Sequence, residues 1–191
     1  MTNDKVRIFV DSCAWDTLFE NKVELLDLFP RDKFKLLMTK EVRAFEIESI
    51  PAANEELLGY IKKQIETCGI ETDCFFGFGD YNQPSEYRPR TGGFGEGRWP
   101  TYEEGKYLEL FKVSKTKLKK TGLYDEEADA SLAVRACTGN IVLTAEKRSK
   151  PGPLREAVEL GGKIVSFYDY QKDMPFTEFL KSSVEAQLTV V

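Results

Sequence analysis

The sequence predicts an α/β protein, a three-layer α/β/α sandwich around a central, mostly parallel sheet of four or five strands. Short apolar runs with little alternation are typical of strands that are buried on both faces. Amphipathic helical segments, some of them ended by glycine, separate these runs, as the crossovers between parallel strands require. Because the chain has 191 residues, we expect a single domain over residues 1–191.

Four apolar runs are the predicted strands. They are rich in β-branched, leucine and phenylalanine residues, and turn residues or acids bound them. In chain order they are VRIFV (6–10), FKLLM (34–38), NIVLT (140–144) and KIVSF (163–167). Right-handed crossovers between such strands place helices on both faces of the sheet.

The segments between these runs show helical periodicity. Asp11 or Ser12 is expected to cap the first helix, and Gly69 and Gly139 are expected to end two others. The predicted helices are CAWDTLFENKVELLDLF (13–29), TKEVRAFEIESI (39–50), EELLGYIKKQIETCG (55–69), TYEEGKYLELFKVSKTKLKK (101–120), DEEADASLAVRACTG (125–139) and PLREAVELGG (153–162).

Residues 75–107 form an insert of different composition, with half of the 14 glycines of the chain and many aromatic side chains. An irregular segment of this length is uncommon in a compact domain and is typically functional or disordered. The aromatic content argues against plain disorder. Arg98 and Trp99 lie in this insert, where bases of single-stranded RNA can stack on such side chains. The alternative is an aromatic-packed loop that covers the core.

The composition excludes several classes of function. The chain contains no histidine, which removes Ser-His-Asp and Cys-His nucleophile systems and histidine-ligated metals. None of its four cysteines lies in a CxxC pair, so we expect no zinc site. We see neither a signal peptide nor an apolar run of about 18 residues, and we expect a cytoplasmic protein that does not enter a membrane.

Acidic residues follow the predicted strands. Asp11 comes directly after the first strand, and Glu146 follows the third strand by two residues. Asp129 lies in the helix that leads to the third strand, and Glu46 lies in the segment after the second. Because sites in parallel sheets lie beyond the carboxyl ends of the strands, these acids are expected to converge. Two alternatives stay open: Asp125 in place of Asp129, and Glu41 in place of Glu46.

Converging carboxylates repel one another, and a divalent cation compensates this repulsion. Oxygen ligands favour Mg²⁺ or Mn²⁺. A cation held in this way can activate a water molecule and stabilise a phosphodiester under attack. The pattern of acids therefore predicts metal-assisted hydrolysis.

Four segments together resemble the PIN-domain family of metal-dependent nucleases: RIFVDS, LLMTKEVRAFEI, ADASLAVRA and IVLTAEK. The family has an Asp that closes the first strand, a Glu in the helix after the second, an Asp that opens a DA-x-x-A helix, and a T-x-D after a later strand. The resemblance covers about residues 6–50 and 123–168. It implies catalytic roles for Asp11, Glu46, Asp129 and Glu146, and it implies that Ser12 and Thr144 are hydroxyls that orient this cluster.

The resemblance implies a Mg²⁺- or Mn²⁺-dependent endoribonuclease with a PIN-like fold. Asp11, Asp129 and Glu146 would be the metal ligands, and RNA would be the substrate. Toxin-type members of the family imply an antitoxin protein as a partner, and a homodimer is the other expected partner. The sequence departs from the family at Glu146, where a longer side chain replaces the usual Asp and moves the carboxylate outward. The insert at 75–107 also makes the chain longer than the small toxin-type members.

Cationic residues lie near the predicted site. Lys147 and Arg148 follow Glu146 directly, and five lysines occur without an acid between Lys112 and Lys120. Such groups bind RNA phosphates, and a solvated helix face is the alternative for the lysine run. With Arg98 and Trp99, Lys147 and Arg148 are the predicted RNA contacts.

Two other functions remain as alternatives. The first is a catalytically reduced PIN-like module that binds RNA or protein, which the substitution at Glu146 favours. The second is phosphoryl transfer through Asp11 as an aspartyl nucleophile. The haloacid-dehalogenase-like pattern has a second Asp two residues later, where this chain has Cys13.

Overall fold

The protein is a three-layer α/β/α sandwich built on one five-stranded sheet, in which every strand pairing is parallel. The computed structural model describes residues 5–77, 92–113, 117–147 and 149–189. The strand order is β3-β2-β1-β4-β5. The strands are β1 (Val6–Val10), β2 (Phe34–Thr39), β3 (Glu71–Asp73), β4 (Ile141–Thr144) and β5 (Ile164–Ser166). The predicted fold class is confirmed.

Helices cover both faces of the sheet. They are α1 (Ala14–Glu20), α2 (Leu25–Leu28), α3 (Glu55–Cys68), α4 (Tyr102–Leu110), α5 (Glu127–Cys137), α6 (Pro153–Glu159) and α7 (Phe176–Thr189). Right-handed crossovers in this strand order place α1–α3 on one face and α4–α6 on the other. Consistently, α1 and α2 pack on α3, while α4 and α6 pack on α5. Within the described ranges, no helix is long and apolar enough to cross a membrane.

The centre of the sheet brings the ends of β1 and β4 together. Both strands are buried on both faces, which explains their nearly continuous apolar sequences. They pair in parallel with Val10 opposite Leu143. The next residues, Asp11 and Thr144, therefore lie side by side at the carboxyl edge. The chain turns to opposite sides of the sheet after these two strands, and sites in α/β sheets form at such a switch point.

The structure corrects the prediction of one helix over residues 13–29, because α1 and α2 are separate. Asn21 ends α1, and Lys22 takes a left-handed conformation with a φ of 52°. Val23 then turns back and donates its N–H to the carbonyl of Leu18 at 3.0 Å. The apolar spacing correctly predicted helical structure on both sides of Lys22, but the backbone turn at Lys22 separates the two helices.

Residues 39–50 also depart from the predicted α-helix. Glu41–Glu46 form a π-helical turn, and Ile47–Ser49 continue as a 3₁₀ turn. Further 3₁₀ turns lie at Ala52–Asn54 and Phe167–Asp169. The wider π turn changes the direction of the side chains that follow β2, and such turns occur frequently at functional sites.

The helix predicted over residues 101–120 is shorter than expected. A capping box between Thr101 and Glu104 starts α4, which ends at Leu110. Its predicted continuation carries lysines without acids, and like charges three or four residues apart destabilise a helix. Farther along, Leu118 and Tyr124 form an antiparallel bridge around Gly122, which has a φ of 86°.

Candidate active site

Asp11 occupies the carboxyl end of β1 with only 3% of its surface exposed. Its Oδ2 accepts a hydrogen bond from the Thr144 hydroxyl at 2.7 Å and one from the Cys13 thiol at 3.0 Å. Its Oδ1 accepts the Ser12 backbone N–H at 2.6 Å. The expectation that Asp11 or Ser12 caps α1 is wrong, because the N-cap is Cys13 and no side chain caps the helix. The Asp11 carboxylate is instead fixed at the edge of the sheet.

Thr144 connects Asp11 to Glu146. Its buried hydroxyl donates to Asp11 and accepts the Glu146 backbone N–H at 3.0 Å. The Ser166 hydroxyl, at the end of β5, donates to the Glu146 carbonyl at 2.7 Å. These bonds hold the backbone after β4, while the Glu146 carboxylate forms an ion pair with Lys150.

Asp129 lies in the first turn of α5, within electrostatic reach of the other predicted acids. Burial is the largest cause that raises its pKa, to about 7, and the charges of Asp11, Glu146 and Glu46 raise it further. Lys150 opposes these effects. The four predicted acids are therefore electrostatically coupled. Asp125, the alternative to Asp129, pairs instead with Lys117 at 3.0 Å.

Glu46 ends the π-helical turn after β2. Its pKa is raised, chiefly by burial and also by the charge of Asp11, while a hydrogen bond from Ser12 lowers it. The Glu46 Oε2 atom is buried and has no hydrogen-bond partner. Glu41, the alternative, is not among the main charges that act on Asp129. The arrangement favours Glu46 as the fourth acid.

Sequence reasoning did not place Cys13 in the site and did not single out Lys119 within the lysine run, whereas Lys150 belongs to the cations that follow Glu146. The Cys13 thiol contacts the hydroxyl of Thr144 at 3.3 Å as well as the Asp11 carboxylate. Burial raises the pKa of this thiol, which therefore stays neutral. Lys119 lowers the pKa of Glu46 and Lys150 that of Asp129, so both cations lie near the acids. The only sequence signals were the position of Cys13 after a strand-ending acid and the lysine-rich segments.

The donor chemistry of the site fits Mg²⁺ or Mn²⁺. The donors are carboxylate oxygens, the Glu46 Oε2 atom lacks a partner, and Asp129 is surrounded by negative charge. In the described part of the chain, no group of three or more acidic or cysteine side chains forms a ready-made metal cage. Mg²⁺ does not require one, because it keeps several waters and usually binds one or two carboxylates. Asp11 and Asp129 are the side chains that would hold it.

The predicted RNA contacts take different positions. Lys147 is exposed and lies over the Tyr168 ring, with its Nζ 5.2 Å from the ring centre. Trp99 is 74% exposed, and its ring centre lies 4.6 Å from that of Phe76. Arg98 binds protein carboxylates, as described next, and Arg148 lies outside the described residues. Lys147 and Trp99 are therefore available to a ligand.

Arg98 belongs to an ion-pair network that fixes the described part of the insert to the core. Its guanidinium donates to Asp73 at 2.6 Å and to Glu104 at 2.6 Å. Asp73 also accepts hydrogen bonds from Arg7 and from Arg135, which is completely buried. Burial opposes ionisation of Asp73, but Arg98 and Arg135 outweigh it and lower the pKa of that carboxyl. This pairing favours a structural role for Arg98.

Comparison of the sequence with protein-family models finds no match, and comparison with curated proteins finds none. The residues at the carboxyl edge of the sheet, and the order in which the chain supplies them, are therefore the features that indicate a function.

Proposed function

We propose that the protein is a Mg²⁺- or Mn²⁺-dependent endoribonuclease that hydrolyses RNA phosphodiester bonds at Asp11, Glu46, Asp129 and Glu146. The observation that carries the proposal is the placement of buried Asp11 at the switch point of the sheet, bound to Thr144 at 2.7 Å, together with the unpartnered Oε2 atom of Glu46. The charges of the other three acids, which raise the pKa of Asp129, support it. Four distant segments supply them in the order found in PIN-domain nucleases, which the sequence resembles. A group with this concentration of buried negative charge favours a divalent cation.

The chain would contribute positioning and charge to the reaction. Asp11 and Asp129 would hold the cation, which when bound supplies activation of water and stabilisation of the phosphodiester. Thr144 keeps Asp11 in one orientation through its 2.7 Å hydrogen bond. Lys119, near Glu46, and Lys147, next to Glu146 in the chain, are exposed and would attract phosphates of the bound RNA.

The test is cleavage of a panel of single-stranded and structured RNAs in Mn²⁺, Mg²⁺ or EDTA. We expect the wild type to cleave only with metal, and Asp11→Asn and Asp129→Asn to lose at least about 100-fold in rate. A loss of this size corresponds to the several kcal/mol that a catalytic cation contributes. Asp16→Asn is the matched control, because Asp16 is exposed on α1. It should cleave as the wild type does.

Circular dichroism and thermal unfolding establish that each variant is folded. Cleavage that persists in EDTA, or in a folded Asp11→Asn protein, would contradict the proposed site. No cleavage of any RNA by the wild type, together with no Mn²⁺ binding in calorimetry, would contradict the proposed activity.

The ion pair between Glu146 and Lys150 favours one alternative, a catalytically reduced module that binds RNA or protein. This pair satisfies the Glu146 carboxylate without a metal. Mn²⁺ calorimetry separates the two functions. A module of this kind would bind RNA or a protein without binding Mn²⁺, whereas the nuclease would bind Mn²⁺ and lose that binding in Asp11→Asn.

We extend the proposal to the partners that the resemblance implies. They are an RNA substrate in the cytoplasm and, for a toxin-type nuclease, an antitoxin protein or a second copy of the chain. Light scattering on the purified protein tests the second copy, since a homodimer doubles the mass of the 21.8 kDa chain. Rescue of growth inhibition by a co-expressed neighbouring gene product tests the antitoxin.

A further inference from the structure

A cavity of about 600 Å³ opens beside the candidate active site, between α5 and the end of β3. This volume falls within the roughly 300–1,000 Å³ of pockets that hold small molecules. Its walls are mainly aromatic and aliphatic, and we call it the α5 cavity. Phe75, Phe76, Pro100, Phe111, Ala130 and Val134 contribute to these walls.

Two acids line the α5 cavity: Glu127, whose carboxylate accepts the Tyr124 backbone N–H at 2.8 Å, and Glu41, which has no role in the proposed chemistry. Its Oε2 atom is buried and has no hydrogen-bond partner. A buried acceptor without a partner is costly, so it is a natural place for a ligand donor. The π-helical turn explains this position, because Glu41 begins the turn and Glu46 ends it. One turn thus supplies an acid to the catalytic cluster and another to the cavity.

The cavity lies along α5, the helix that also carries Asp129. Ala130 and Ser131 line it, and they follow Asp129 in α5. The charge of Glu41 also acts on Glu46. Lys112, which is exposed, lies at the wall of the cavity and adds positive charge there. A phosphodiester at the catalytic acids would therefore have one of its own bases within reach of the cavity.

We infer that the α5 cavity binds a guanine base of the RNA, with the Glu41 carboxylate accepting hydrogen bonds from guanine N1–H and the N2 amino group. This inference depends on the proposed nuclease function and names the base that the same site selects. Single-stranded bases are read by stacking on aromatic side chains and by hydrogen bonds to their Watson–Crick edges. Phe75, Phe76 and Phe111 supply the aromatic surface.

The carboxylate selects guanine because it accepts hydrogen bonds and donates none. Guanine presents two neighbouring donors on its Watson–Crick edge. Adenine and cytosine place a ring-nitrogen acceptor beside their amino group, and this acceptor would face the negative carboxylate. Uracil offers a single N–H between two carbonyl acceptors. Of the four bases, guanine alone matches an acceptor pair without repulsion.

Calorimetry with 5′-mononucleotides tests the cavity without requiring catalysis. We expect the wild type to bind guanosine monophosphate about 10- to 100-fold more tightly than the adenosine, cytidine or uridine compounds, as loss of hydrogen bonds to a charged group predicts. Inosine monophosphate, which lacks the N2 amino group, should bind with intermediate affinity. Glu41→Gln should lose the preference, since an amide places a donor where guanine has donors.

Glu109→Gln is the matched control, because Glu109 is exposed on α4 next to Leu108, which lines the cavity. It should keep the preference for guanosine monophosphate. Glu41→Gln retains the size of the side chain and is expected to fold, which thermal unfolding checks. Leu108→Trp fills the cavity and should weaken binding of guanosine monophosphate at least tenfold even where Glu41 is intact.

Cleavage maps complete the test. If both proposals hold, the wild type cuts beside guanosines, and Glu41→Gln cuts with relaxed sequence preference. Guanosine preference in calorimetry without any RNA cleavage and without Mn²⁺ binding would overturn the nuclease function and leave the base site standing. Metal-dependent cleavage with equal binding of all four mononucleotides, or a preference that survives in Glu41→Gln, would overturn the guanine site alone.

Discussion

Asp129 shows how a single carboxylate links the site to stability. Its pKa is raised to about 7 by burial and by three neighbouring acids, against about 3.9 for an ordinary Asp. Folding therefore takes up a proton between these two values. The stabilisation that the protonated form gives is complete below about pH 4 and is lost as the pH rises through about 7.

We predict that the metal-free protein loses about 2–4 kcal/mol of unfolding free energy between pH 4 and pH 8 through this group. Urea unfolding in EDTA across this range measures it. Asp129→Asn should flatten the profile and be more stable than the wild type at pH 8, whereas Asp16→Asn should follow the wild type. Addition of Mn²⁺ at pH 8 should restore stability in the wild type. An equally flat wild-type profile would refute the coupling.

Thr144 acts on the chemistry through Asp11. Thr144→Val keeps the shape of the side chain but removes the 2.7 Å hydrogen bond to Oδ2. We expect Mn²⁺-dependent cleavage to fall about 10- to 100-fold, as is typical when a group that orients a metal ligand is lost. Thr144→Ser keeps the hydroxyl and should remain within a few-fold of the wild type. Equal losses in both variants would indicate a packing role instead.

Individual residues were predictable where topology alone determines their position. Asp11 follows a buried strand, and a parallel sheet places such a residue at the edge where sites form. The division of work between Glu41 and Glu46 was not predictable, because it depends on the wider spacing of a π-helical turn. The ion pairs of Arg98 were also not predictable from the sequence. Glu104 is a near neighbour in sequence, but its other partner, Asp73, is distant in sequence and ends a strand of three residues.

At the scale of elements, burial on both faces made β1, β2, β4 and β5 recognisable from composition. The edge strand β3 was not recognised, because its sequence is Glu-Thr-Asp and two of its residues are exposed. Backbone pairing with β2 forms this strand, and pairing leaves no hydrophobic pattern in the sequence. Its end carries Asp73, which connects the sheet, α5 and the residues that lead into α4.

We predict that Asp73→Ala lowers the free energy of unfolding by about 3–5 kcal/mol, the usual result of removing one partner from a buried ion pair. The cause is Arg135, which is completely buried and would lose its carboxylate. Glu103→Ala is the control. It breaks an exposed ion pair with Lys106 and should cost less than about 1 kcal/mol.

Urea unfolding monitored by tryptophan fluorescence measures both changes. Trp15 lies in the core and Trp99 in the insert, so separate transitions at the two positions would reveal that the insert detaches first. Single-tryptophan variants with phenylalanine at the other position assign the transitions. A loss below 1 kcal/mol in Asp73→Ala would show that the arginines find other partners and that the network is not required for stability.

At the scale of the whole molecule, the net charge is unfavourable for RNA binding, and exposed lysines would offset it locally. The chain carries a formal charge of −5, and the candidate site concentrates acids at one edge of the sheet. Attraction of RNA therefore depends on local cations, since a net negative protein does not attract phosphate from a distance. Lys119 precedes Asp129 in the chain and Lys147 follows Glu146, and both are exposed, so each can contact the backbone of a bound strand.

We therefore predict a shallow salt dependence of RNA binding that two lysines largely determine. Each phosphate contact on a single strand contributes a slope of about −0.7 to a plot of log affinity against log salt concentration. In Asp11→Asn, which would bind RNA without cutting it, Lys119→Gln or Lys147→Gln should each reduce the slope by about that amount. Lys62→Gln, on the opposite face of the sheet in α3, should leave it unchanged. Fluorescence anisotropy with a labelled guanosine-containing oligonucleotide measures the slope, and equal effects of all three substitutions would mean that net charge, rather than the lysines beside the site, governs binding.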